Sequence, residues 1–213
     1  MKRHSFPFAL LALFGLMAGS LMVIKPGLAR QNLDFAEESV RQIASVAVQD
    51  IISSQVPRAE KVRRFRELFM TRFDMRSVSR FVLGRWWRKT SAIEQKRFVE
   101  LFQELNIYTW VNRFQRYDGQ ELVVTGTRPD GKRGAFVDSR MVRSGNLKDI
   151  PMVWRLRWRD DSWKVVDLVV EGISMALTFR SEYSALLADP SITVSVLNNR
   201  LSERVRSIRG EGR

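Results

Sequence analysis

The segment PMVWRLRWR, residues Pro151–Arg159, indicates the fold class most directly. Apolar side chains recur in it at every second position, and Arg155, Arg157 and Arg159 occupy positions between them. This alternation is typical of a β-strand that packs one face against a core and exposes the other face to water. Antiparallel sheets commonly have one covered face, so the segment predicts a sheet of this kind.

Strand-like runs also precede and follow this segment, and short turn sequences separate them. The turns are Pro129-Asp130-Gly131, Ser144-Gly145-Asn146 and Asp160-Asp161, whose residue types favour tight reversals. Runs joined by such turns pair with their neighbours along the chain. We therefore predict an antiparallel meander of about four strands, formed by the runs QELVVTGT, RGAFVDSRMV, PMVWRLRWR and SWKVVDLVV.

The first half of the chain has the periodicity of helices. Apolar residues recur there at three- and four-residue steps, and Ser91 with Glu94 has the spacing of a capping box. The sequence thus predicts one α+β domain over residues 30–213, in which helices cover the sheet. The predicted helices extend from Asp34 to Ser54, from Pro57 through Phe69, from Phe73 to a cap at Gly84, from Ser91 to about Tyr117, from Ile173 to Leu187 and from Val194 to Ile208.

The N-terminal stretch MKRHSFPFALLALFGLMAGSLMVIKPGLA begins with basic residues, continues with an apolar run and ends with small residues. This order is typical of a secretory signal peptide, and we predict that residues 1–29 form one, with cleavage after Ala29. Because the apolar run from Phe6 to Ile24 is long for a signal, an uncleaved membrane anchor is the alternative. Both interpretations predict export of the rest of the chain.

The chain contains no cysteine, and its one histidine, His4, lies in the predicted signal peptide. The exported, cleaved form would therefore lack disulfides, thiolate and imidazole metal ligands, and a Ser-His-Asp triad. We accordingly predict no metal site, no catalytic residue and no enzymatic activity.

The net charge of +13 makes nucleic acid and anionic lipid surfaces candidate partners. The alternation in the third strand places Trp154 and Trp158 on the face opposite to the arginines, so rings and charges cannot form one nucleic-acid groove. We therefore expect no nucleic-acid partner. The arginines would form a solvated face or a docking surface for a membrane or a partner protein.

Two blocks of the sequence carry a resemblance to a known family. The first is WKVVDLVVEGISMALTFRSEY, residues 163–183, and the second is FVLGRWWRKTSAIEQKRFVELF, residues 81–102, which enters the long helix. With these blocks the chain resembles the periplasmic phospholipid-binding proteins of the Mla type (maintenance of lipid asymmetry), also called toluene-tolerance proteins. The matching positions in the first block are Trp163, Asp167, Glu171, Gly172, Ile173, Ser174, Arg180, Ser181 and Tyr183.

The resemblance implies a non-enzymatic periplasmic carrier whose cargo is a phospholipid, with no cofactor. Its implied partners are an inner-membrane ABC transport complex and an outer-membrane lipoprotein complex, between which the protein, expected to be a monomer, shuttles lipid. The lipid tails would lie in an apolar pocket enclosed by the sheet and the helices. The alternative is a docking module of an envelope complex that has a similar fold and binds no lipid.

The long helix and the helix after Glu171-Gly172 are apolar on more than one side. A helix with this pattern is usually packed between a sheet and its neighbours. Together with the resemblance, the second apolar side predicts the wall of a lipid pocket. From inward strand positions and second-side helix positions, the predicted lipid-binding residues are Leu105, Val137, Met141, Trp154, Leu156, Met175 and Leu177.

Asp167 and Glu171 are the two carboxylates whose spacing could serve acid–base catalysis. The favoured interpretation is structural, because partly buried acids pair with nearby cations. In that interpretation Asp167 pairs with Arg155 or Arg157, and Glu171 ends the strand or caps the next helix. Gly172 would free the backbone for a sharp strand-to-helix turn.

Overall fold

The computed structural model describes residues 26–114, 119–143, 145 and 147–210. Helices come first in these ranges, a sheet follows, and two helices end the chain, so the predicted α+β class is confirmed. The predicted signal peptide, residues 1–29, lies almost wholly outside the described residues. Within the described part, no helix has the length and apolar character that crossing a membrane requires.

The sheet is an antiparallel meander in which each strand pairs with the next one along the chain. Four long strands correspond to the four predicted runs, and a short fifth strand extends the sheet. The strands are β1 (Glu121–Pro129), β2 (Gly134–Val142), β3 (Ile150–Arg159), β4 (Ser162–Val170) and β5 (Ile173–Ser174).

Six α-helices are described in these ranges, and they pack on the sheet and on one another. Helix α1 contacts β1 and β2, helices α2, α3 and α5 contact β4, and α6 packs on α4. A π-helical turn, Ala47–Ile52, continues α1, and a 3₁₀ segment, Gly84–Lys89, follows α3. The α-helices are α1 (Pro26–Val46), α2 (Arg58–Arg72), α3 (Met75–Leu83), α4 (Ala92–Phe114), α5 (Met175–Leu186) and α6 (Val194–Arg209).

The predicted caps of two helices are confirmed. The hydroxyl of Ser91 accepts a hydrogen bond from the backbone N–H of Glu94 at 3.2 Å, which fixes the start of α4. Gly84 ends α3 with a φ of +54°, a backbone conformation that residues other than glycine rarely adopt. A Cβ at Gly84 would also lie 3.2 Å from a guanidinium nitrogen of Arg180. The two sequence blocks that carry the family resemblance therefore meet at this point.

A bulge in β4 changes which side chains face inward. Leu156 of β3 pairs with Val165, whereas the preceding Arg155 pairs with Asp167, so Val166 is an extra residue in β4. A similar irregularity separates Val124 from Gly126 in β1. Strict alternation along either strand therefore fails to predict the inward face beyond the bulge.

The connection after β4 differs from the predicted strand-to-helix turn. Glu171 and Gly172 both have positive φ angles, 51° and 82°, and form a two-residue hairpin turn between Val170 and Ile173. The chain therefore pairs once more as β5 before the helix starts. Ser174, not Glu171, caps α5, because its hydroxyl accepts from the N–H of Leu177 at 3.0 Å.

Asp167 anchors the start of α5. One carboxylate oxygen accepts from the N–H groups of Leu168 and Ala176, each at 2.9 Å, and the other accepts from the hydroxyl of Ser174 at 2.6 Å. A negative charge at a helix N-terminus is also favourable. The prediction that Asp167 pairs with an arginine of β3 is therefore wrong, because backbone and hydroxyl donors of the following helix occupy it.

Arg155 and Arg157 of β3 pair instead with Asp130, in the turn between β1 and β2. Arg155 Nε and Arg157 Nη1 both lie close to Asp130 Oδ2, at 2.6 Å and 2.5 Å. Partial burial raises the pKa of Asp130, but the hydrogen bonds and charges of the two arginines outweigh it and lower the pKa overall. Arg157 crosses directly over Gly134, where a Cβ would clash with the guanidinium.

A second ionic cluster joins three helices. Glu104 of α4 accepts two hydrogen bonds from Arg66 of α2, at 2.9 Å and 2.6 Å, and one from Arg209 of α6 at 2.5 Å. Burial raises the pKa of Glu104, and the two arginines more than offset this and lower it. Both guanidiniums also lie over the ring of Tyr108. This cluster holds α2, α4 and α6 together.

Replacing the β3–β4 turn by Asn-Gly should stabilise the protein. Asp160 and Asp161 occupy the left-handed region, with φ angles of 46° and 54°, in a turn type that favours Asn-Gly. We expect Asp160→Asn/Asp161→Gly to raise the free energy of unfolding by about 1 kcal/mol, measured by urea denaturation. Asp160→Ala/Asp161→Ala changes the charge equally but keeps side chains with little tolerance of positive φ. Equal stabilisation by the alanine pair would assign the effect to charge instead.

Removing the charge of Asp167 should weaken the attachment of α5. Asp167→Asn keeps the shape and one acceptor oxygen, but it removes the charge and sets an NH2 group against the hydroxyl of Ser174, so we expect a loss of about 1–3 kcal/mol in unfolding free energy. Asp138→Asn is the matched control, because Asp138 is half-buried on β2 and contacts Arg128 only at 3.3 Å and beyond. That control should cost under about 0.5 kcal/mol. Equal losses in the two variants would contradict the anchoring role.

Candidate functional site

A large apolar cavity lies between the helices and the sheet. Its volume is about 630 Å³, which is in the size range of ligand pockets. Helices α1 to α5 and the π-helical turn form its roof and sides, and strands β1 to β4 form its floor. Aliphatic and aromatic side chains from these elements make up most of its wall, among them Ile43, Val48, Phe65, Phe69, Phe102, Trp110, Phe114, Met141, Met152, Trp154, Val165, Leu168, Met175 and Phe179.

Polar side chains are few along the described wall. Two of them, Asn106 and Thr109, donate to backbone carbonyls of their own helix α4, at 2.7 Å and 2.6 Å. Asp167 is occupied by the start of α5, as described above. The cavity therefore presents mainly hydrocarbon, which suits an apolar ligand better than a polar one. The polar residues of the described wall are Asn106, Thr109, Arg113, Gln120 and Asp167.

The described wall of the cavity reaches the protein surface at the C-terminal end of α4. Among the described wall residues, Arg113 is the exposed one. Its guanidinium lies 5.3 Å from the ring centre of Trp110, a neighbouring wall residue. A cation that stacks on an aromatic ring at the edge of an apolar space keeps its charge in water. This end of the cavity is therefore its polar edge.

The floor is fixed by one buried hydrogen bond. The indole N–H of Trp154 donates to the hydroxyl of Ser139 at 3.0 Å, across the β2–β3 pair. A buried indole N–H needs such a partner, and the bond sets the orientation of the ring. The large ring can therefore lie along the floor without leaving an unpaired polar group.

Three of the seven predicted lipid-binding residues lie on the cavity wall, and four do not. Met141, Trp154 and Met175 lie on the cavity wall. Val137 and Leu156 are fully buried at 0% exposure in the closed core, and Leu105 packs half-buried against that core. Leu177 is 58% exposed to solvent on the outer side of α5.

The wall contains residues that the sequence patterns assigned to ordinary core. Ile43, Phe65, Leu68 and Phe69 belong to the apolar stripes of α1 and α2, which look like any core-facing stripe. The β4 bulge brings the consecutive residues 165–168 to the wall, a pattern that alternation forbids. The π-helical turn that lines the cavity has no recognisable signal in the sequence, although such turns are frequent at functional sites.

The described residues offer no group of three or more His, Cys, Asp or Glu side chains that could hold a metal ion. The chemistry of the wall is that of a container for an apolar molecule. Its shape, its few polar groups and its polar edge at one end fit an amphipathic molecule whose apolar part enters the cavity.

Comparison with known proteins agrees with this geometry. The chain is 26% identical over 98 residues to a protein of Haemophilus influenzae called the intermembrane phospholipid transport system binding protein MlaC. That match covers 44% of this chain and 45% of the relative, so it spans less than half of the relative's length.

A solved structure has the same fold. It is a phospholipid-binding protein from Ralstonia solanacearum, determined in complex with a phospholipid. The TM-score is 0.70 at 18% sequence identity, and the match covers 82% of this chain and 98% of the other. In addition, residues 38–203, which are most of the chain, match the family model described as MlaC protein. The predicted family is thereby confirmed: this chain belongs to the MlaC family.

Proposed function

We propose that this protein is a phospholipid carrier that holds the acyl tails of its cargo in the apolar cavity. The observation that carries the proposal is the cavity itself, about 630 Å³ in volume and walled almost entirely by hydrocarbon. Membership of the MlaC family supports it, as does a neighbour of the same fold that was solved with a phospholipid. No chemical step is part of the proposal, and the lipid is cargo rather than cofactor.

The free energy of lipid transfer requires an apolar cavity wall. Each methylene removed from water contributes about 0.8 kcal/mol, so one acyl chain of about sixteen carbons gains on the order of 10 kcal/mol. Most of this gain cancels when the lipid comes from a bilayer, because its tails were already in hydrocarbon. The wall must then be nearly as apolar as the membrane, which is the composition described above.

We propose further that the protein works in the periplasm and shuttles lipid between an inner-membrane ABC transport complex and an outer-membrane lipoprotein complex. The name of the Haemophilus relative, which refers to intermembrane phospholipid transport, supports this assignment. Export would depend on the predicted signal peptide, residues 1–29. The carrier is expected to act as a monomer, because a lipid-filled cavity is complete within one chain.

Lipid extraction tests the proposal directly. We expect the protein, purified without detergent and extracted with organic solvent, to release phospholipid in a stoichiometric amount, measured by mass spectrometry. If the gently purified protein carries no lipid and takes none from vesicles, the result would instead favour a docking module that binds no lipid.

A charge placed on the wall should empty the cavity. Met141 is half-buried on the wall near the end of β2. In Met141→Arg the long side chain can occupy the space of a tail and carry its charge towards the opening. We expect a folded protein that has lost most of its lipid, measured by circular dichroism and by lipid extraction.

Two further arginine substitutions serve as controls for this variant. Leu156→Arg places an unpaired charge in the closed core, where it should unfold the domain. Leu177 lies on the exposed side of α5, so Leu177→Arg should leave both the fold and the lipid content unchanged. A Met141→Arg protein that stays folded and fully loaded would show that this part of the wall does not contact the tails.

A further inference from the structure

A second, smaller cavity adjoins the large one. Its volume is about 160 Å³, several times the share of about 30 Å³ that one water molecule occupies in the liquid. Its described wall consists of Arg58, Lys61, Val111 and Phe114. Phe114 also belongs to the wall of the large cavity, so one aromatic ring separates the two spaces. A basic pocket thus lies directly beside an apolar one.

The two cations of the small cavity bind neutral groups. Arg58 Nη2 donates to the side-chain carbonyl of Asn112 at 3.1 Å and to the backbone carbonyl of Ile208 at 3.3 Å. The ammonium of Lys61 donates to the backbone carbonyl of Ile52 at 2.9 Å. These bonds fix the two side chains in position without neutralising them. Both cations keep further N–H groups for another acceptor, since a guanidinium has five and an ammonium three.

Two carboxylates on the helices that line this cavity, α2 and α4, are held by other cations. Glu60, in the same turn of α2, pairs with Arg63 and Arg64 at 2.7 Å and 2.8 Å. Glu104 is held by the arginines of the cluster that joins α2, α4 and α6. Among the ion pairs of the described residues, none involves Arg58 or Lys61. The small cavity therefore keeps two positive charges that an anion could neutralise.

We propose that Arg58 and Lys61 bind a phosphate group, and that this phosphate belongs to the phospholipid whose tails fill the large cavity. The inference rests on the proposed carrier function. In a phospholipid the phosphate is joined to the tails through glycerol alone, so it must lie beside the mouth of the tail cavity. The small cavity meets this condition, because Phe114 lies next to Arg113 at the polar edge. Two cations with free donors suit a tetrahedral anion with several acceptor oxygens.

The recognition would be for phosphate rather than for the group esterified to it. Both cations interact with phosphate oxygens that all common phospholipids share. The protein would then distinguish a phospholipid from a neutral lipid with the same tails, such as diacylglycerol. Comparing the binding of a phospholipid with that of diacylglycerol therefore separates phosphate recognition from burial of the tails.

The test compares the uptake of phosphatidylglycerol and of diacylglycerol with identical chains by lipid-stripped full-length mature protein. We expect the wild-type protein to load the phospholipid about tenfold better, as charge-assisted hydrogen bonds predict. Arg58→Gln/Lys61→Gln should lose this preference and still take up diacylglycerol. Retained diacylglycerol uptake and an unchanged thermal transition would show that the variant is folded.

The matched control is Lys96→Gln/Arg97→Gln. It removes the same two charges from the first turns of α4, about 25 Å along the helix from Phe114 at 1.5 Å per residue. Lys96 contacts a carboxylate only at 3.9 Å, and Arg97, like Arg58, donates to an asparagine side-chain oxygen, that of Asn199 at 2.9 Å. The control should keep the full preference for phospholipid. An equal loss in the two double variants would assign the effect to net charge and overturn the proposal.

Titration of the stripped protein with inorganic phosphate distinguishes the source of the anion. Phosphate binding that depends on Arg58 and Lys61, without any preference for phospholipid over diacylglycerol, would support an anion site but assign it to free phosphate. Neither phosphate binding nor lipid preference would overturn the site. If the wild-type protein took up neither lipid, the carrier function itself would fail, while the phosphate titration would still test the two cations.

Discussion

An apolar cavity inside a protein core tends to close, because the side chains around it gain dispersion contacts as they approach one another. At the cost measured for cavities left by core truncation, an empty space of about 630 Å³ would cost on the order of 10 kcal/mol. That is comparable with the whole stability of a domain. The fold must therefore keep helices and sheet apart with contacts that do not run through the cavity, and it must gain stability when a ligand fills the space.

Three polar contacts around the cavity meet this requirement. Asp167 fixes the start of α5 against β4, and Glu104 holds α2, α4 and α6 together through Arg66 and Arg209. Arg180 of α5 donates to the carbonyl of Phe81 in α3 at 3.1 Å and lies over its ring. Each contact joins elements that border the cavity or brace them. Asp167 does so from the wall itself, and the other two contacts lie outside the wall. Directional bonds of this kind hold a distance, whereas apolar packing alone only favours approach.

The fold also determines which of the chain's positive charges have carboxylate partners. Arg155 and Arg157 of β3 share Asp130, and Arg140 of β2 pairs with Asp149, so part of the positive charge at the sheet is compensated. Arg58 and Lys61, which line the small cavity next to Phe114, bind neutral carbonyls instead. Two positive charges are thus left without a carboxylate partner among the described residues, close to the polar edge of the cavity.

The sequence by itself determined the class of fold, the order of the four long strands, the caps at Ser91 and Gly84 and the family, because these depend on local periodicity and on short motifs. It placed Met141, Trp154 and Met175 on the wall but could not separate them from Val137 and Leu156, since wall and closed core are both apolar. Tertiary structure decided that difference, as well as the partner of Asp167 and the inward turn of Val166. Each of these depends on where two distant segments meet: a bulge moves a face by one residue, and a carboxylate bonds to the donors that packing brings to it.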